Sequence, residues 1–135
     1  MPIQRYRLDG SGLARFLGEL EARIMEAVWQ LGAPTGSELC ALLAGANYKT
    51  VLTVANRLVD KGLLERDRAG GRAFRYRAAE DREAFIRRVS AGIASGMVGD
   101  FGRQALAQFV DAADAIDPAY LDELERLVRE RKGQR

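Results

Sequence analysis

Between Tyr48 and Leu64 the chain reads YKTVLTVANRLVDKGLL, and its chemistry-bearing residues recur at helical spacing. Val51, Val54, Ala55 and Leu58 fall on one side of a helix, which leaves Lys49, Thr50, Thr53, Asn56, Arg57 and Asp60 on the other. A helix side meeting only water would favour Glu, Lys and Ala, because threonine loses rotamer freedom in a helix. Hydroxyls, an amide and cations in one row point instead to a hydrogen-bonding partner. Nucleic acid suits that row. A threonine methyl packs on the 5-methyl of thymine while its hydroxyl reaches a base or phosphate oxygen, and Lys49 near the helix start approaches guanine or the backbone.

Other chemistries are excluded by what the sequence lacks. It contains no histidine and a single cysteine, Cys40. Cys/His zinc sites, imidazole bases and Ser-His or Cys-His pairs all need side chains that are missing. The carboxylates are scattered over helical surface positions, so no catalytic residue, metal or cofactor is expected and the chain reads as a non-enzyme. Cys40 cannot form an internal disulfide and has no adjacent cation to activate it, so it is expected to pack. The net charge of +2 hides an asymmetry. Residues 47–77 hold eight basic and three acidic side chains, whereas 79–135 hold nine basic and eleven acidic.

The elements that must position the polar strip follow from periodicity. Residues 1–16 carry Arg5, Arg7 and Arg15 around a DGSG break and read as a flexible arm. Leu17, Leu20, Ile24, Ala27, Val28 and Leu31 then define a core helix that ends at Gly32-Ala33-Pro34, with Trp29 packing on it. Thr35 and Glu38 have the spacing of a capping box ahead of a short second helix. Asn47 caps the third, which runs to about Lys61 and stops at Gly62. Residues 63–68 and 72–78 alternate with period two around Gly70-Gly71, a hairpin with Phe74 and Tyr76 on one face and Arg75 and Arg77 on the other. Three helices and a basic hairpin make a winged helix-turn-helix over 17–79. Its third helix is expected in the major groove, its wing arginines along the backbone, and the Ser37 hydroxyl with helix N-terminal amides on phosphates.

Residues 80–135 read as three helical pieces. Their apolar stripes are Phe85, Ile86, Val89, Ile93 and Met97; Phe101, Leu106, Phe109 and Val110; and Tyr120, Leu121, Leu124, Leu127 and Val128. So few residues bury such stripes poorly alone, and pairing with a second copy is the expected solution, an intertwined homodimer. Gly92, Gly96, Gly99 and Gly102 read as a helix break or a close helix crossing rather than a membrane motif, since charges flank them. The fold class is therefore mainly α (α+β): an N-terminal winged helix with a small β-hairpin wing, followed by a helical dimerisation unit.

The segments LGELEARIMEAVWQLG and YKTVLTVANRLVDKGLLERDRAGGRAFRYRAA together resemble the penicillinase-repressor family of bacterial regulators, the BlaI/MecI group, over residues 17–131. The resemblance implies a dimeric repressor of an inverted-repeat operator in double-stranded DNA. By that similarity Lys49, Thr50, Thr53 and Arg57 lie on the recognition helix and Arg72 on the wing, and Tyr48 at the start of the same helix is a further candidate DNA contact. Family members often have Thr at the place of Lys49 and a Leu-Thr pair at Ala55-Asn56. Copper-responsive relatives end in a cysteine cluster, which RERKGQR lacks. A regulatory protease cuts an Asn-Phe bond in antibiotic-responsive members, and the pair here is Gln108-Phe109, the candidate cleavage region.

Two other readings stay open at this level: a protein-docking winged helix, and a ligand-gated sensor with Phe101, Phe109 and Tyr120 lining a pocket. No apolar run approaches the roughly 20 residues of a membrane span, and the start does not resemble a signal peptide. The expected location is the cytoplasm, without membrane contact.

Overall fold

The computed structural model describes residues 6–68, 71 and 73–135. The chain divides into two compact units, Met1–Ser90 and Ala91–Arg135.

In the first unit α1 (Glu19–Leu31), α2 (Gly36–Leu42) and α3 (Tyr48–Asp60) precede an antiparallel hairpin of β1 (Leu64–Asp67) and β2 (Arg75–Ala78), and α4 (Arg82–Phe101) begins behind it. The local signals act as their chemistry requires. Thr35 Oγ1 accepts from the Glu38 amide at 3.2 Å while the Thr35 amide donates to Glu38 Oε1 at 2.8 Å, which closes the start of α2. Asn47 Oδ1 accepts from the amides of Lys49 and Thr50 at 2.9 and 3.2 Å and starts α3. Gly62, at φ 78°, turns the chain out of α3, a left-handed conformation that a Cβ would penalise.

The core gathers Ile24, Val28, Leu39, Val51, Leu58, Leu64, Tyr76 and Phe85. Each such buried side chain contributes about 1.5 to 3 kcal/mol. Trp29 packs as expected, its ring 5.6 Å from that of Phe85 and its Nε1 donating to the Glu80 carbonyl at 2.9 Å. Leu31, the last position of the predicted stripe, is exposed.

Residues 6–16 depart from the expected arm; residues 1–5 lie outside the described part. A 3₁₀ turn at Gly12–Arg15 buries Leu13, Phe16 packs on the core, and the Arg15 guanidinium donates to the carbonyls of Arg7 and Leu8, both at 3.1 Å. Apolar side chains on both sides of the turn outweigh the flexibility suggested by DGSG. The strands are shorter than their alternation predicts and pair Leu64 with Ala78, Glu65 with Arg77, Arg66 with Tyr76 and Asp67 with Arg75. A single bridge from Thr35 to Arg75, with the Tyr76 amide donating to the Pro34 carbonyl at 2.9 Å, docks β2 on the chain entering α2.

The second unit holds the later residues of α4 together with α5 (Arg103–Ile116) and α6 (Ala119–Gly133), and α5 and α6 pack on each other. Gly102, at φ 50°, separates α4 from α5, so the expected break falls there. A Cβ at Gly92, Gly96 or Gly99 would meet nothing within 4 Å, so none of the three marks a close crossing among the described residues. The Asp117 carboxylate accepts from the Ala119 amide at 3.0 Å, with Pro118 between them, and starts α6. Leu106, Phe109, Val110, Leu127 and Val128 are exposed, and α6 buries no residue. Among the described residues no helix is long and apolar enough to cross a membrane.

Candidate nucleic-acid interface

The third helix buries Val51, Val54, Ala55 and Leu58 and exposes Tyr48, Lys49, Thr50, Thr53 and Arg57. Lys49 and Arg57 form no ion pair among the described residues, although the field of Arg57 reaches the Glu21 carboxylate. Thr53 commits its hydroxyl proton to the Lys49 carbonyl one turn back, at 2.9 Å. What it still offers outward is a methyl group and an oxygen lone pair.

Ser37 is exposed in the first turn of α2. Not every helix-terminal amide remains available for phosphate: Asn47 occupies those of Lys49 and Thr50, and Thr35 occupies that of Glu38. The Thr35 amide and hydroxyl, with smaller help from the Arg75 guanidinium, hold the Glu38 carboxyl below its usual range. Gly36 brings α2 close to α3, since a Cβ there would lie 2.4 Å from Leu52 Cδ2 and 3.7 Å from the Tyr48 hydroxyl.

Strand register gives the hairpin two chemically different faces. Arg75, Arg77, Glu65 and Asp67 share one. There Arg77 pairs with Glu65 at 3.6 Å and Asp67 at 3.2 Å, and Arg75 donates to the Ala33 carbonyl at 2.9 Å and lies 3.4 Å from Glu38. Arg75 is thus partly committed to holding β2 against the start of α2. On the opposite face stand Leu64, Arg66, Phe74, Tyr76 and Ala78. The guanidinium carbons of Arg66 and Arg68 sit 4.6 and 4.3 Å from the centre of the Phe74 ring, in cation–π contact, and neither arginine has an ion-pair partner among the described residues.

Asn56 is half-buried where α3 meets that face. Its Oδ1 accepts from the Tyr76 hydroxyl at 3.0 Å and from Arg66 Nη1 at 2.7 Å. Arginine has only donors, so the amide atom facing it is the oxygen. Burial pushes the Tyr76 phenol up, against the opposing influence of Arg66, which keeps its proton available to Asn56.

The α3 strip lies at the surface as expected except for Asn56, which is half-buried and bonded to Tyr76 and Arg66, and Arg72 lies outside the described residues. Neither Arg66 nor Arg68 was among the residues expected at the interface. The signal was available in the alternation of LERDR, which places both on the side of Leu64, but the register against Tyr76 and Phe74 was needed to see what they touch. In the second unit a groove of about 530 Å³ between α5 and α6 is lined by Leu106, Phe109, Val110, Leu121, Leu124 and Val128 with charged neighbours; Phe101 and Tyr120 do not line it.

Comparison with known proteins adds one match. Residues 17–130 fit the family described as Penicillinase repressor. A comparison with curated proteins gave no match.

Proposed function

Since the chain belongs to the penicillinase repressor family of DNA-binding transcriptional regulators, we propose that it is a homodimeric bacterial repressor that holds an inverted-repeat operator with α3 in the major groove. The observation that carries this reading is the exposed side of α3, where Lys49, Thr50, Thr53 and Arg57 stand clear of the core that the opposite side builds. Cations draw the helix to phosphates without regard to sequence, and the threonines and Lys49 face base edges. Ser37 on α2 and Arg66, Arg68 and Arg75 on the hairpin supply further polar contacts to the backbone.

Dimerisation is supported by the second unit, where exposed Leu106, Phe109, Val110, Leu127 and Val128 cluster on helices with little interior of their own. A second copy covering that surface removes it from water and relates two recognition helices by a two-fold axis, about 34 Å apart for adjacent half-sites. The α5–α6 groove belongs to the same surface, so the second copy accounts for it without a small ligand. A DNA-binding regulator of this kind works in the bacterial cytoplasm. Induction by a protease at Gln108 and Phe109 requires α5 to open locally, because both residues lie within that helix.

The test is enrichment of duplexes by the full-length protein from a randomised pool, followed by footprinting and sedimentation. A palindromic footprint bound by a dimer is expected. Failure to retain any duplex at about 50 mM salt, where phosphate contacts are strongest, would favour a protein-docking winged helix.

A further inference from the structure

Asn56 lies on the polar side of α3, where an asparagine would ordinarily be read as a partner for adenine. That pairing is bidentate, with the amide nitrogen donating to N7 and the amide oxygen accepting from the N6 amine. Here the oxygen is already saturated. It has two lone pairs, and they receive the Tyr76 hydroxyl at 3.0 Å and Arg66 Nη1 at 2.7 Å.

We infer that Asn56 is a positioning residue that holds the Arg66 guanidinium ready for a DNA phosphate and reads no base. The inference rests on the DNA-binding role proposed above and assigns its wing contact. Arg66 is fixed from two sides, by Asn56 Oδ1 through Nη1 and by the Phe74 ring through its face. The guanidinium also lies beside the Tyr76 hydroxyl, whose deprotonation it favours, and no carboxylate among the described residues forms an ion pair with it. The other described hairpin arginines differ: Arg77 is compensated by Glu65 and Asp67, Arg75 is tied to Ala33 and Glu38, and Arg68 has the Phe74 contact alone. Exposed hydrogen bonds add little to stability, so holding a long side chain at the surface costs rotamer entropy that folding does not repay. A phosphate repays it, because a guanidinium ordered in advance loses less freedom on binding. Tyr76, buried in the core, anchors the arrangement and makes α3 and the hairpin move as one body toward the duplex.

The experiment uses the full-length protein with two probes: a duplex enriched by the wild type from a randomised pool, and a mixed-sequence duplex. Asn56→Ala and Arg66→Ala should each weaken both duplexes by about fivefold at about 0.15 M salt and lower the salt slope by about 0.9, the signature of one phosphate. Together they should do no more than either alone. Without DNA, Asn56→Ala should lower the heteronuclear NOE at Arg66, and Asn56→Asp, which keeps the acceptor, should restore it. A preference change confined to one base pair in Asn56→Ala overturns the inference, as does an unchanged salt slope or full additivity with Arg66→Ala. If the wild type itself retains neither duplex, the DNA-binding reading falls instead, and the NOE comparison still decides whether Asn56 orders Arg66.

Discussion

Lys61 Nζ, just past the end of α3, lies 2.7 Å from Glu21 Oε2 in the first turn of α1, and the Glu21 side chain is only 9% exposed. The same carboxylate accepts from the Gly18 amide at 2.9 Å. One buried acid therefore fixes both the start of α1 and the far end of α3.

Glu21→Ala should destabilise the N-terminal unit by about 2 kcal/mol, since it leaves a backbone amide and an ammonium without their acceptor. Denaturant unfolding measures this directly. Burial works against the charged form of Glu21, but the Lys61 hydrogen bond, the Gly18 amide and the fields of Lys61 and Arg57 outweigh it, and the carboxyl is held below its ordinary value of 4.5. A depressed folded value means that the contribution is complete above the unfolded value and is lost as pH falls through the folded one. Stability of the wild type should thus drop below pH 4.5 more steeply than that of Glu21→Ala, and parallel curves would refute the assignment.

Thr53 should discriminate through its methyl group, because its hydroxyl proton is spent on the Lys49 carbonyl. Thr53→Val keeps a methyl in place and should preserve operator preference, whereas Thr53→Ala should lose about 1 kcal/mol of preference at a single base pair. Competition among point-substituted operators separates the two variants. Equal loss in both would assign the contact to the oxygen.

Lys49→Ala and Arg57→Ala should remove cations that form no ion pair among the described residues. For a side chain on phosphate, the slope of log affinity against log salt should shrink by about 0.9, with equal loss on specific and mixed duplexes. Arg75→Ala should differ, since its ties to Ala33 and Glu38 make part of its loss appear as weaker docking of β2. Thermal unfolding without DNA should register Arg75→Ala and spare Lys49→Ala.

Leu127→Glu places a charge in the exposed apolar surface of the second unit, where Leu127 is 47% exposed. Sedimentation should show a shift from dimer to monomer and operator affinity should fall, while unfolding of the N-terminal unit stays unchanged. A dimer that survives the substitution would locate the self-association elsewhere.

The parts of this architecture that were legible in the sequence are those whose chemistry closes within a turn or two. The Thr35–Glu38 box spans three residues, the Asn47 cap two or three, and Gly62 acts through its own backbone. Strand alternation likewise gave the faces of Phe74, Tyr76, Arg75 and Arg77. Contacts between distant segments were not legible: Asn56 meets Tyr76 twenty residues on, and Arg75 meets Ala33 across 42. Their donors and acceptors carry no local mark of being engaged, so Asn56 looked like a free member of the polar row on α3 and Arg75 like a free wing cation. Residues 6–16 were misjudged for the converse reason. The local break at DGSG was plain, while the burial of Leu13 depends on helices that follow it.

The chain contains one tryptophan, Trp29, and its indole is bonded to the Glu80 carbonyl beside the Phe85 ring. Its fluorescence is therefore a built-in reporter of a single half of the molecule. The emission maximum should move to longer wavelength only when the helices around Phe85 come apart, so melting of the N-terminal unit can be followed optically even while the other unit stays assembled.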